Sequence, residues 1–335
     1  MDILEYTSDE NLEQMIVALP LDSVLYVANV PNESYHASKG VSSTGAKTAF
    51  QSEQRYWRYI TAPQEKRKEH YVFGELAHDS IRLPPDEIKD LYCSSVSFVS
   101  GQRNLGKAQR KVVNEGADVQ EVLSQINLKP EERPQLLEFV EKVGGRQVVN
   151  RTQLSEARQI ANMIHEHPIV SSMLEKQDHY FELSVWRRDP DGFLRKARPD
   201  VYFPEAQVVF DWKTVRDLIW KYDTDDRMIF VKQILERVID KLGYAFSGAW
   251  YLNVLGILET GAFMLFFADK DALEIYPPWV PSTESMEQQW RHCQAAIKSI
   301  KSVRKKTSDG KVIEPLEQFI PLGNDVFSGQ TKEFI

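Results

Sequence analysis

The sequence predicts an α/β protein, with a mixed central sheet, flanking helices and a helical insert, and three segments carry that prediction. Residues 193 to 203 and Gln207 to Thr214 read as two strands joined by a tight turn at Glu205-Ala206. Ala262-Phe-Met-Leu-Phe-Phe-Ala268 is a continuous apolar run, as in a strand covered on both faces. Between them Met228, Val231, Leu235, Val238 and Leu242 recur at helical spacing, so a helix separates strands.

Taken in order, Val24 to Ala28 is an apolar run expected as an edge strand. The segment Tyr35 to Lys47 offers hydroxyls ahead of a helix expected to run through Phe50, Tyr56 and Trp57. From about 103 to 175 the pattern is helical, with a charged stretch around Leu128 to Pro134 and a break at Gly144-Gly145. Residues 180 to 187 alternate as a strand, and Asp189-Pro-Asp-Gly192 turns the chain into the next one, so a three-stranded meander to Thr214 is expected. Met286, Trp290, Cys293, Ile297 and Ile300 mark a last amphipathic helix ending in the basic tract Lys298 to Lys306.

The chain has 335 residues, 42% of them hydrophobic, enough for a large core. No uncharged apolar stretch approaches the roughly 18–20 residues that span a bilayer, and the first twenty residues lack a basic leader, so a cytoplasmic protein with no membrane partner is expected. Cys93 and Cys293 are too few for a four-cysteine metal site and are expected as free thiols. The net charge of −8, from 41 basic and 49 acidic residues, opposes a general nucleic-acid coat but not a local groove.

The chemistry is concentrated in Pro199-Asp200 and Asp211-Trp212-Lys213. On a strand Asp211 and Lys213 share one face, while Trp212 points to the other with Phe210 and Val208. Asp200 and Asp211 lie equally far from the turn's centre and so face each other, with Cβ atoms roughly 4.5–5.5 Å apart. Two carboxylates that close repel unless a cation lies between them, and hard oxygen ligands suit Mg2+ or Mn2+. A structural salt bridge would explain Lys213 and one aspartate and leave the second unexplained.

These residues, with YHASKGVSSTGAK at 35–47, Phe73-Gly-Glu-Leu-Ala-His78 and Ala161-Asn-Met-Ile-His-Glu-His-Pro168, resemble the RecE (exonuclease VIII) family of prophage recombination exonucleases, a branch of the PD-(D/E)xK nuclease superfamily. The resemblance implies a nuclease domain over 35–280, with the helical insert at 103–175 and a core at 178–280, between an N-terminal leader, 1–34, and a C-terminal helix and basic tail, 281–335. It implies that His78 is a metal ligand and that Glu182 is a supporting acid. The family's Gln-x-x-x-Tyr pattern finds Tyr251, but its glutamine position reads Ser247.

The reading that results is a Mg2+-dependent exodeoxyribonuclease in which Asp200, Asp211, His78 and the Trp212 carbonyl hold one or two metals and Lys213 positions the attacking water. The resemblance adds 5′-to-3′ digestion of duplex DNA ends, a 3′ single strand for a RecT-like annealing partner, and a homo-oligomeric ring, a tetramer by family analogy. Lys39, Ser42, Ser43 and Thr44 are candidates for a 5′ phosphate at a helix start. Arg103, Lys107, Arg110 and Lys111 are candidates for tracking the backbone. Rival readings are a structure-specific or restriction-type endonuclease and a catalytically silent DNA-binding recombination module.

Overall fold

A computed structural model of the chain describes residues 1–61, 69–95, 97–98, 103–114, 124, 130–215, 227–270 and 273–308. The chain begins β1 (Ile3–Glu5), α1 (Asp9–Ala18), β2 (Ser23–Ala28), α2 (Asn32–Ala37), α3 (Ser43–Gln51), α4 (Glu53–Thr61), α5 (Glu69–Arg82) and α6 (Pro85–Leu91). It continues β3 (Tyr92–Ser94), β4 (Ser97–Phe98), β5 (Arg103–Asn104), α7 (Lys107–Asn114), α8 (Arg133–Val143), β6 (Gln147–Val149), α9 (Arg151–Glu166) and α10 (Pro168–Lys176). The strands β7 (Tyr180–Phe181), β8 (Ser184–Arg188), β9 (Leu194–Ala197), β10 (Val201–Phe203) and β11 (Val208–Val215) follow. Last come α11 (Arg227–Leu242), α12 (Tyr244–Leu255), β12 (Ala262–Asp269), β13 (Glu274–Trp279) and α13 (Thr283–Ser308).

The main sheet has the order β13-β12-β11-β10-β7, parallel between β11 and β12 and antiparallel elsewhere. That parallel step needs a crossover, which α11 and α12 supply. Period-two alternation splits the sheet's side chains between two cores. Val209, Phe263, Leu265 and Phe267 join Ala46, Ala249, Trp250 and Ile300 from α3, α12 and α13. Phe210, Trp212, Phe266 and Ala268 join Leu76, Ile160 and Val170 from α5, α9 and α10. The architecture is therefore α/β, a mixed sheet with helices on both faces. At Gly248 of α12 a Cβ would stand 2.7 Å from the Phe263 ring, so the helix touches the sheet there with its bare backbone.

The expected meander is divided between two sheets. Residues 184–188 and 194–197 pair in a second sheet of order β1-β2-β8-β9, while β7 and β10 stay with β11. The chain changes sheets at Glu182, whose φ of 47° is left-handed, and at Arg198-Pro199-Asp200, where Pro199 has no N–H to continue a ladder. Residues Val24 to Ala28 are not an edge strand: β2 lies between β1 and β8, and β1 is the edge. The single helix expected through Trp57 is two, because Ser52 is extended with φ of −171° and its hydroxyl accepts from Arg55 N at the start of α4.

No break in packing falls at residue 34 or 281. Leu12, Ile16 and Val27 pack with Tyr35 and Trp186, and Met286, Cys293, Ile300 and Val303 of α13 are buried in the first of the two main cores. Around 103–175 the helices are joined by β6, which pairs parallel with β3. Gly144 caps α8 in the left-handed conformation, as the glycine pair suggests. Leu128, Lys129 and the chain beyond Ser308 lie outside the described residues. Cys93 and Cys293 are free thiols, and among the described residues no helix is long and apolar enough to cross a membrane.

Candidate active site

Register builds the site. Val201 faces Phe210 and Phe203 faces Val208 across the turn at 204–207, so one step further Asp200 faces Asp211. Trp212 N–H donates to Asp200 Oδ2 at 2.8 Å, which shows that Trp212 turns its backbone toward the β10 side. Asp211, one residue earlier, turns its backbone toward β12 instead. The two aspartates therefore form the non-hydrogen-bonded kind of antiparallel pair, in which side chains come closest. Trp212, 3% exposed, is buried in the opposite core.

Lys213 Nζ lies 2.7 Å from Asp211 Oδ2 and 3.7 Å from Asp200 Oδ2, and it donates to the Trp212 carbonyl at 3.0 Å. His78 enters from α5, its Nδ1 3.4 Å from Asp200 Oδ1. The side chains of His78, Asp200 and Lys213 keep 25%, 12% and 26% of their surface, whereas Asp211 keeps 3%. Asp211 is thus buried within the sheet rather than standing at its solvent-facing end, and its Oδ1 is buried with no hydrogen-bond partner.

The environments separate the two carboxylates. Burial and the neighbouring Asp200 charge push Asp211 up to about 6, against the pull of Lys213. Burial would raise Asp200 too, but the His78 and Lys213 charges and the Trp212 N–H outweigh it and hold that carboxyl well below its usual range. For Lys213 burial works against the ammonium, and the two carboxylates overcome it and raise its pKa. His78 is likewise raised, with burial opposing and Asp200 prevailing. These groups titrate as one coupled cluster.

The roof of the site comes from α3 and α12. Burial raises the Tyr251 hydroxyl, which hydrogen-bonds Ser43 and feels the charges of Asp211 and Lys213. The Tyr244 ring lies 5.8 Å from Lys213 Nζ. Lys47 of α3 is a cation of the cluster that sequence reasoning does not single out: burial and then Lys213 lower its pKa, Asp211 opposes them, and its Nζ lies 3.4 Å from the Leu242 carbonyl. Its signal was the spacing of Ser43 and Lys47, one helical turn apart in the block 35–47.

Other candidates fall elsewhere. Glu182 holds Arg198 at 2.7 Å and lies 3.7 Å from Arg82, which makes it an ion-pair partner at the β7–β8 crossing. Lys39 pairs with Glu13 at 2.5 Å, with its side chain 63% exposed. Ser42 is the N-cap of α3 and accepts from Gly45 N at 3.3 Å, Ser43 is buried against Tyr251, and Thr44 is exposed. Ser247 is buried on α12. Arg110 donates to the Leu105 carbonyl at 2.7 Å and Lys111 is exposed; the side chains of Arg103 and Lys107 lie outside the described residues.

Among the described residues no three His, Cys, Asp or Glu side chains form a ready cluster of metal ligands. The Lys213 ammonium already sits beside both carboxylates and on the Trp212 carbonyl, the place where sequence reasoning expects a divalent cation. The donors nevertheless fit such an ion. Two carboxylates, a peptide carbonyl and an imidazole suit a hard or borderline divalent cation, and the unpartnered Asp211 Oδ1 is one acceptor in want of a positive partner.

No family model and no curated protein matches the chain. Among solved structures it is similar to one from Eubacterium rectale described as a "putative exonuclease", at 12% identity, covering 85% of this chain and 88% of that one with a TM-score of 0.46.

Proposed function

We propose that the protein is a Mg2+-dependent exonuclease that digests duplex DNA ends from 5′ to 3′ and leaves a 3′ single strand. The observation that carries this reading is the opposed pair Asp200 and Asp211, with Lys213 on the same face and a buried carboxylate oxygen left without a partner. Mg2+, or Mn2+ in its place, would be held by Asp200, Asp211, the Trp212 carbonyl and His78, and would lower the pKa of a water and polarise the scissile phosphate.

The chain's own groups do the rest. Lys213 stays an ammonium because two carboxylates surround it, so it holds an attacking water or a phosphate oxygen and stabilises developing negative charge. Trp212 N–H fixes the orientation of Asp200 from one side and His78 from the other. Tyr251, buried and hydrogen-bonded to Ser43, adds a hydroxyl within reach of the Asp211 and Lys213 charges. The polarity, the RecT-like annealing partner and the homo-oligomeric ring rest on the resemblance to the RecE family.

The test is linear duplex labelled at either 5′ or 3′ end, with and without Mg2+, beside a closed circular duplex. The expected result is Mg2+-dependent release from the 5′-labelled end and an intact circle. Asp211→Asn and Lys213→Ala are each expected to lower the rate by at least about 100-fold, as loss of one transition-state contact does. Cutting of the circle would favour an endonuclease, and digestion unchanged in both variants would remove the site altogether.

A further inference from the structure

One helical turn beyond His78, α5 forms the wall of a second concavity of about 770 Å³. Arg82, Lys89, Arg158, His165, His179 and Phe181 line it, and among the described residues no Asp or Glu does, in a chain whose acids outnumber its bases by 49 to 41. Asp79, Glu182 and Asp86 pair with Arg82 and Lys89 from outside the lining. Arg158, Asn162 and His165 recur at i, i+4 and i+7 on the exposed face of α9, whose other face buries Ala157, Ile160, Ala161 and Ile164.

Polar atoms and flat rings add to the charge. The ring nitrogen His165 Nε2 meets the Ile81 carbonyl at 2.7 Å and His179 Nδ1 meets the Gln177 carbonyl at 3.1 Å. A carbonyl only accepts, so each of these two nitrogens donates its proton, and the rest of each ring is left to face the concavity. Ser80, also in the lining, has a buried hydroxyl with no partner. His179 and Phe181 meet edge to face with centroids 5.3 Å apart. The volume matches small-ligand sites of roughly 300–1,000 Å³, which suits a short single strand and not a duplex.

We propose that this concavity binds nucleotide units of a single strand, with phosphate held by Arg158 and Lys89 and a base laid against Phe181 and His179. Cations that track a backbone beside aromatic rings are the means by which single strands are held without sequence preference. The link to DNA digestion rests on the nuclease reading: α5 carries both His78, which contacts Asp200, and Arg82, which lines the concavity one helical turn further on.

The experiment measures fluorescence anisotropy of a labelled oligothymidylate of about eight nucleotides with the full chain in EDTA. The double variant Arg158→Glu, Lys89→Glu is expected to bind at least about tenfold more weakly, with the salt slope reduced by about one for each cation removed. A charge-matched control, Arg133→Glu with Lys142→Glu on α8, is expected to bind like the unaltered protein. Competition by thymidine 5′-monophosphate separates the two sources of this chemistry: displacement at the oligomer's own affinity identifies a free nucleotide, displacement only far above it a strand, and both support the site. Unchanged binding in a folded double variant, equal weakening in the control, or no binding at all overturns it. Binding that persists in a protein inactive with Mg2+ would sink the nuclease reading and leave this one standing.

Discussion

Asp200 and Asp211 face each other across a hairpin, yet their proton affinities move in opposite directions. The cause is allocation: Asp200 receives the Trp212 N–H and His78, while Asp211 receives Lys213 on one oxygen and nothing on the other. In metal-free protein Asp211, pushed up to about 6 by burial and by Asp200, keeps a proton that the unfolded chain releases at its ordinary 3.8. Between those values the folded state binds more protons, so Asp211 makes stability fall as pH rises from about 4 to 6. Asp200, held low, contributes the opposite slope: its stabilisation is present above its ordinary value and is lost as pH falls below it. Asp211→Asn removes the first effect. Melting temperatures in EDTA across that window should therefore converge toward low pH and separate above pH 6, the variant being the more stable. Parallel curves would show that Asp211 titrates as in the unfolded chain.

At the scale of elements, Lys196 of β9 ties the segment before α3 to the second sheet. Its Nζ donates to the carbonyls of Tyr35, His36 and Ser38 at 2.6, 3.2 and 2.7 Å, so although burial lowers its pKa to about 8, three acceptors keep three protons in use. Lys196→Met would strand those carbonyls and is expected to cost about 3 kcal/mol or more in urea unfolding at neutral pH. A loss below about 1 kcal/mol would mean that water replaces the amine. Such clamps were illegible in the sequence, since nothing in a lone lysine of a strand names carbonyls 158 to 161 residues away. The turn at 204–207 was legible because a two-residue centre fixes which residues face each other whatever the rest of the sheet does. The apolar run of β12 was legible for a similar reason, being covered on both faces. The sheet change at Glu182 was not, because a left-handed glutamate carries no signature in composition.

Across the whole molecule, the site depends on parts far from it in sequence. Trp186, fully buried, packs on Tyr35 and donates to the Lys39 carbonyl at 3.1 Å, so it sets the entry to the helix that carries Ser43 and Lys47. Trp186→Ala is expected to cost about 3–5 kcal/mol in urea unfolding. Because this core is shared with Leu12 and Ile16, deleting residues 1–22 should lower the melting temperature rather than release an intact nuclease unit, which calorimetry would check. Strand spacing marked the carboxylates, and it left unmarked how tightly the layer above them is seated. At Gly248 there is no clearance for even one methyl group over Phe263, so the height of α12 above the sheet is set by contact of backbone on ring. Gly248→Ala would jack that helix upward, lifting Tyr244 and Tyr251 off the proposed catalytic floor, whose own residues are unaltered. On the proposed nuclease reading, turnover should drop at least about tenfold with Asp211 and Lys213 in place, which would make a single hydrogen atom, on a residue outside the cluster itself, the spacer that gauges the depth of the proposed reaction chamber.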